Sequence, residues 1–195
     1  LELAGDWSQL RWPLVGAAPA VVGSGGKFTL NGIWPYAIVA DGQFKSPDLG
    51  ETIPFSMSGQ LAKSGLTIGS GNATLYDGTA QLRGQVDWTP AESWQLAGTM
   101  RGLNPGRLRS ALPGSIGFEF DLRGDAFGPA ANLDAQFRNL QGRLRGAAAR
   151  GRGRIQRQGQ RASLRWLFEG INVAAGGLRL AADGWLSESS YNLDF

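Results

Sequence analysis

The stretch AQLRGQVDW, Ala80 to Trp88, alternates apolar and polar residues without a miss. Ala80, Leu82, Val86 and Trp88 share one side with Gly84, and Gln81, Arg83, Gln85 and Asp87 share the other. A side-chain period of two is that of a β-strand, here with one apolar and one polar face. The fold turns on what covers the apolar face.

The same pattern extends both ways. GLTIGSGNATLYDGTAQLRGQVDW reads as three short strands, with a first turn at Gly69–Asn72 and a second at Asp77-Gly78, a strong hairpin signal. Trp94, Leu96 and Met100 share a face in the next run. Ile116, Phe118, Phe120 and Leu122 alternate with Gly117, Glu119, Asp121 and Arg123. Leu133, Ala135 and Phe137 continue until the parity shifts at Asn139, after which Leu140 and Leu144 fall on even numbers, predicting a bulge or tight turn. Ala147 to Ile155 alternate with Arg150, Arg152 and Arg154; Leu164, Trp166 and Phe168, then Ile171, Val173, Leu178 and Leu180, close the series. One short helix is predicted in LNPGRLRSALPG, with Asn104 as N-cap, Pro105 at the first helical position and Pro113 as the stop. Loose internal similarity links Gly65–Gly78 with Gly170–Gly184, and Phe28–Phe44 with Leu178–Phe195, as expected of stacked β-hairpin units.

Composition narrows the chemistry. The 195 residues include no His and no Cys, which removes disulfides, thiol nucleophiles, imidazole bases and most transition-metal sites. Thirty glycines and nine prolines favour turns over long helices. No apolar run is long enough for a membrane-spanning helix, and a chain opening on Leu1 is expected to be one segment of a longer protein. The net charge of +3 is uneven: nine arginines and no acid lie between Arg138 and Arg165, leaving ten bases against sixteen acids elsewhere.

The individual motifs point away from catalysis. GSGGKF (Gly23–Phe28) fails as a phosphate loop, because Phe28 stands where Ser or Thr should hold magnesium, and it is expected to be a flexible loop. Glu119 and Asp121 lie two apart on one strand face beside Arg123, the pattern of a solvated surface rather than a catalytic pair. Asn72-Ala73-Thr74 matches an N-glycosylation acceptor but lacks a secretory context. The arginine stretch from Arg143 to Arg161 contains no aromatic residue, whereas single-strand nucleic-acid readers interleave the two. It reads as a solvated strand face near a sheet edge. Headgroup contact through Arg150, Arg152 and Arg154 is the second reading, and nucleic acid, the third, is not expected as a partner.

Four arrangements cover half-apolar strands: a sandwich, a soluble barrel, a lipid-facing barrel or an open trough. A transmembrane barrel wants strands of about 9–11 residues and aromatic girdles. The runs here read as shorter, and Tyr occurs three times. Periodicity alone leaves the sandwich and the trough open.

A resemblance separates them. LELAGDWSQLRWPLVG (Leu1–Gly16) followed by GGKFTLNGIWPYAIVADGQF, and VDWTPAESWQLAGTMRGLNPGRL (Val86–Leu108) followed by LPGSIGFEFDLRGDAFGP, are similar to the repeating signature of the TamB family. The resemblance covers most of the chain, and LRWPL with LNPG in this order is its specific part. It implies an all-β fold: an elongated, curled sheet, a groove or β-taco, of roughly a dozen short strands with one short helix. Residues 1–195 would form a single β-groove segment. The family is similar to AsmA-like and bridge-like lipid-transfer proteins. Its members are periplasmic and anchored in the inner membrane by an N-terminal helix, which this chain does not show. They are implicated in moving phospholipid to the outer membrane and in outer-membrane protein assembly with the barrel partner TamA.

On that reading the protein is not an enzyme and needs no cofactor. The groove would be lined by the apolar-parity residues Leu82, Val86, Trp88, Leu96, Phe118, Phe120, Leu122, Phe137, Leu144, Trp166 and Phe168, with phospholipid acyl chains as partners. Small residues such as Ala80, Gly84 and Ala135 leave room for a tail. The competing expectation is a closed sandwich that recruits outer-membrane protein clients by strand addition.

Overall fold

The computed structural model describes residues 1–12, 21–45, 50–126, 131–159, 164–187 and 190–194. Within them the chain forms one open, curled antiparallel sheet of fourteen strands. The strands are β1 (Glu2–Trp7), β2 (Leu10–Trp12), β3 (Val21–Asn31), β4 (Tyr36–Lys45), β5 (Thr52–Leu61), β6 (Gly65–Leu75), β7 (Gly78–Asp87), β8 (Ser93–Leu103), β9 (Gly114–Gly124), β10 (Leu133–Leu144), β11 (Ala147–Gln158), β12 (Arg165–Ala175), β13 (Leu178–Ser187) and β14 (Tyr191–Asp194). From β3 onward each strand pairs with its neighbour in sequence, and β1 and β2 both pair with β3. Among the described residues no second sheet covers the first, so the trough, not the sandwich, is the architecture. Among the described residues no helix is long and apolar enough to cross a membrane.

Most strands run 10–12 residues, longer than the alternation suggested. Part of the reason is bulges, which carry a strand through a change of parity. Strand β6 carries one extra residue between Ile68 and Gly71 against β7, β8 one between Met100 and Leu103 against β9, β10 one between Phe137 and Leu140, and β12 one between Phe168 and Ile171. Each bulge flips the parity without ending the strand, and each adds bend and twist. These four fall on alternate strands that run the same way, and their bends add to the curl. The parity shift at Asn139 is one of them: Asn139 takes φ 52° and its Nδ2 donates to Glu119 at 2.9 Å. Asn tolerates the left-handed region better than other non-glycine residues.

Three expectations are corrected. Gly69–Asn72 is a bulge inside β6 and not a turn, so only one hairpin, closed at Tyr76–Asp77, occupies that stretch. The likeness of Gly65–Gly78 to Gly170–Gly184 therefore does not reflect equivalent hairpins. GSGGKF is no loop: it lies in β3, where Ser24 is the extra residue against β4. The helix is a single 3-10 turn, Pro105–Arg107. Asn104 caps it as expected, accepting from the Gly106 amide at 3.0 Å, but Leu108 is 60% exposed. A helix of some eight residues, Pro105 to Leu112, with no surface to pack Leu108 and Leu112 on is too short to sustain itself. Pro13 and Leu14 of the LRWPL turn, Arg161 at the end of the arginine stretch, and Phe195 lie outside the described residues.

One end of the sheet is tied by polar contacts. Glu51 accepts from the Tyr76 amide at 3.0 Å and from Arg107 Nη2 at 3.1 Å, while Asn104 Nδ2 donates to Asp77 at 3.1 Å. Burial, with Glu51 adding to it, raises the Tyr76 phenol above its ordinary value. Those contacts link the entry to β5, the β6–β7 turn and the 3-10 turn.

Candidate functional site, the apolar wall

Register places the side chains without ambiguity, because paired residues project to the same side. One cross-strand row runs Leu3, Leu30, Ile38, Gly59, Ile68, Gly84, Leu96, Leu122, Ala135, Ile155, Phe168, Gly184 and Leu193. It crosses every strand of the sheet except β2. With a strand spacing of about 4.8 Å, such a row extends over roughly 55–60 Å. Rows on either side of it are also glycine, aliphatic or aromatic. Across the described strands, the one charged residue on this face is Arg157 of β11.

The wall is concave enough to bury side chains without a second layer. Ile53 is 2% exposed and Phe120 7%. Ala80, Met100 and Phe120 form one buried cluster; Ile116, Leu140 and Ala149 form another, with Phe118 packed against both. Large side chains lie over glycines of the next strand. A Cβ on Gly98 would meet the Phe120 ring at 2.9 Å, and one on Gly153 the Phe137 ring at 3.0 Å.

All of the expected lining residues except Trp88 occupy inward positions of β7, β8, β9, β10 and β12. Leu144 sits toward the end of β10 opposite Gly114. Trp88 follows β7 and donates its Nε1 hydrogen to the Lys63 carbonyl at 2.8 Å. Trp94, near the same end, donates to the Ala126 carbonyl at 3.0 Å.

Two hollows open on this wall. One, of about 270 Å³, is bordered by Phe118, Phe120, Leu122, Ala135, Phe137, Leu140 and Ile155, with Gln136 at its margin. The other, of about 380 Å³, is bordered only by Phe137, Ile155, Phe168, Ile171, Val173, Leu180, Ala182 and Leu193. They meet along Phe137 and Ile155. Neither offers a nucleophile, an acid or a base; what they offer is dry surface beside open solvent.

Arg150, Arg152 and Arg154 project from the opposite, polar face. Arg150 and Arg152 are exposed. Arg154 is held in an ion-pair network, with Nη2 2.7 Å from Asp134 and Nη1 3.0 Å from Glu169. The hydrogen bonds from Arg154 hold the Asp134 carboxyl below its ordinary value of 3.8. The network staples β10, β11 and β12 in register from outside. A hollow of about 560 Å³ on the same polar face is bordered by Gln81, Arg83, Thr99, Glu119 and Arg138 among others, a wet and charge-mixed surface unlike the wall.

Sequence reasoning missed Arg157. It shares the parity of Ile155, and continuing the odd-number series two residues further would have put it on the apolar face.

No solved structure matches this chain. The family model described as TamB, N-terminal domain, matches residues 1–195. With that match over its whole length, and one open curled sheet crossed from edge to edge by an apolar row, the chain belongs to the TamB family.

Proposed function

We propose that this chain is a segment of a conduit that carries phospholipid acyl chains along its apolar wall, between the inner and outer membranes of a Gram-negative envelope. The unbroken cross-strand row, left uncovered and hollowed, is the observation that carries this reading. A tail crossing water pays about 0.8 kcal/mol per exposed CH₂. For ~16 carbons that is a barrier on the order of 12 kcal/mol. A continuous wall removes most of it, since the tail passes from one apolar surface to the next while the headgroup stays wet. Contacts of this kind have no direction, so a tail can slide along them without stalling. The role requires no nucleophile and no cofactor. A periplasmic location, an inner-membrane anchor elsewhere in the parent protein and cooperation with TamA in outer-membrane protein assembly belong to the same proposal.

The test is mass spectrometry of an organic extract of the purified chain. Phospholipid is expected at a substantial fraction of one per chain. A lipid-free extract from protein that was never exposed to detergent contradicts the reading.

One observation favours a second reading. Strand β14 pairs only with Asp183–Leu186 of β13. The edge from Leu178 to Ala182 has no strand beside it among the described residues, and Leu178 is 67% exposed. Such an edge accepts an extended client by strand addition. A proline at Ala181, which faces away from the wall on the same edge, should abolish peptide capture while leaving lipid content unchanged.

A further inference from the structure

Arg157 breaks the lower row of the wall, which runs Val86, Trp94, Gly124, Leu133, Arg157, Trp166, Leu186 and Tyr191. This row lies at the lip, where β11 ends one residue later. Among the described residues no carboxylate pairs with Arg157. The nearby acids are already engaged: Asp125 accepts both Asn132 donors, at 2.9 and 2.6 Å, and Asp134 accepts two bonds from Arg154. At the lip the half-exposed Arg157 has open solvent on one side and the apolar wall on the other, within reach of an anion that stays wet. Its planar fork suits the paired oxygens of a phosphate. Its register neighbour Trp166, and Tyr191 two strands beyond, are side chains that favour a boundary with one apolar and one wet side.

The hollows begin one inward position away. Ile155 lies two residues before Arg157, about 7 Å along the strand. It borders both hollows, so one opens on the β10 side of it and the other on the β12 side. A single anion at the lip therefore faces two apolar troughs, the layout of a headgroup with two tails. Resting on the conduit reading above, we propose that Arg157 binds the phosphate of a glycerophospholipid whose two acyl chains lie in the hollows on either side of Ile155. The wall then has a polarity: headgroups ride along the lip where β11 ends and β12 begins, and tails point inward.

The experiment loads the wild-type chain, R157Q, R157K and the outer-face control R150Q with phosphatidylglycerol, or with a diacylglycerol of the same acyl chains that lacks the phosphate. Native mass spectrometry counts the bound lipid. R157Q should lower phosphatidylglycerol occupancy about tenfold at equal lipid concentration, R157K should fall between, and R150Q should change it less than twofold. Diacylglycerol should bind all four alike, which also reports that the variants are folded. Equal phosphatidylglycerol binding by wild type and R157Q, with diacylglycerol bound throughout, overturns the Arg157 site and leaves the conduit standing. A wild type that takes up neither lipid overturns both.

Discussion

The two ends of this sheet share one design and fill it differently. At the β1–β5 end the wall is occupied by the protein's own rings. Trp7 stacks with Phe28 at 6.4 Å and with Phe55 at 6.2 Å, and Phe44 lies 5.8 Å from Phe55. The Trp7 ring lies flat over glycines: a Cβ on Gly26 would collide with it, and one on Gly42 would come within 2.7 Å. Its Nε1 is buried with no hydrogen-bond partner among the described residues, a cost of about 1–3 kcal/mol that packing must offset. At the β9–β14 end the rings of Phe137 and Phe168 border empty space instead. The alternation of large and small residues is alike in both. What differs is whether a large ring reaches across the strands to fill what the glycines leave. A trough can thus be sealed in one part and open in another without any change in topology.

The contrast can be broken at its strongest point. Trp7→Ala should destabilise the chain by about 3–5 kcal/mol, the range for truncating a large packed aromatic, and lower Tm accordingly in thermal melts. Phe168→Ala should cost less, roughly 1–2 kcal/mol, since that ring already faces a hollow. Equal losses would show that the two ends are packed alike. Gly26→Ala should cost about 1–3 kcal/mol by overpacking against Trp7, as chemical denaturation can measure. Ala182→Trp sharpens the other side of the comparison. Filling the larger hollow should leave stability within about 1 kcal/mol and reduce lipid occupancy several-fold.

The smallest effect concerns the outer face. Asp134 is held below its ordinary value by Arg154, so its contribution is present above that value and is lost as pH falls through the lowered one. Both partners are partly exposed, so the pair should contribute about 0.2–1 kcal/mol. Tm of the wild type should fall slightly more than that of Asp134→Asn on acidification below about pH 4, a difference that matched melts at pH 6 and pH 3 would reveal.

The faces of the strands were legible in the sequence because period two survives any curvature. AQLRGQVD, short of Trp88, and GSIGFEFDLRG sit in the structure with the faces the alternation assigns. Asn139 announced its bulge because both flanks alternate clearly. Gly69–Asn72 hid one, since a bulge and a turn use the same small residues. The helix misled because capping signals at Asn104 and Pro105 are local, whereas a helix needs a surface to pack on. The arginine run drew attention to Arg150, Arg152 and Arg154 as a cluster, but a strand splits any cluster between two faces. Arg157, the member that falls on the apolar side, was lost in that crowd. Which part of the wall is filled depends on cross-strand reach, as with Trp7 over Gly26 and Gly42, and no local pattern encodes it.

The most direct test of the wall is its parity. A photoreactive residue placed singly at Phe118, Phe168, Glu119 or Glu169 of the lipid-loaded chain would be irradiated, and the adducts read by mass spectrometry. Inward positions 118 and 168 should capture acyl chains and outward positions 119 and 169 should not. Equal capture at neighbouring inward and outward positions would contradict the account.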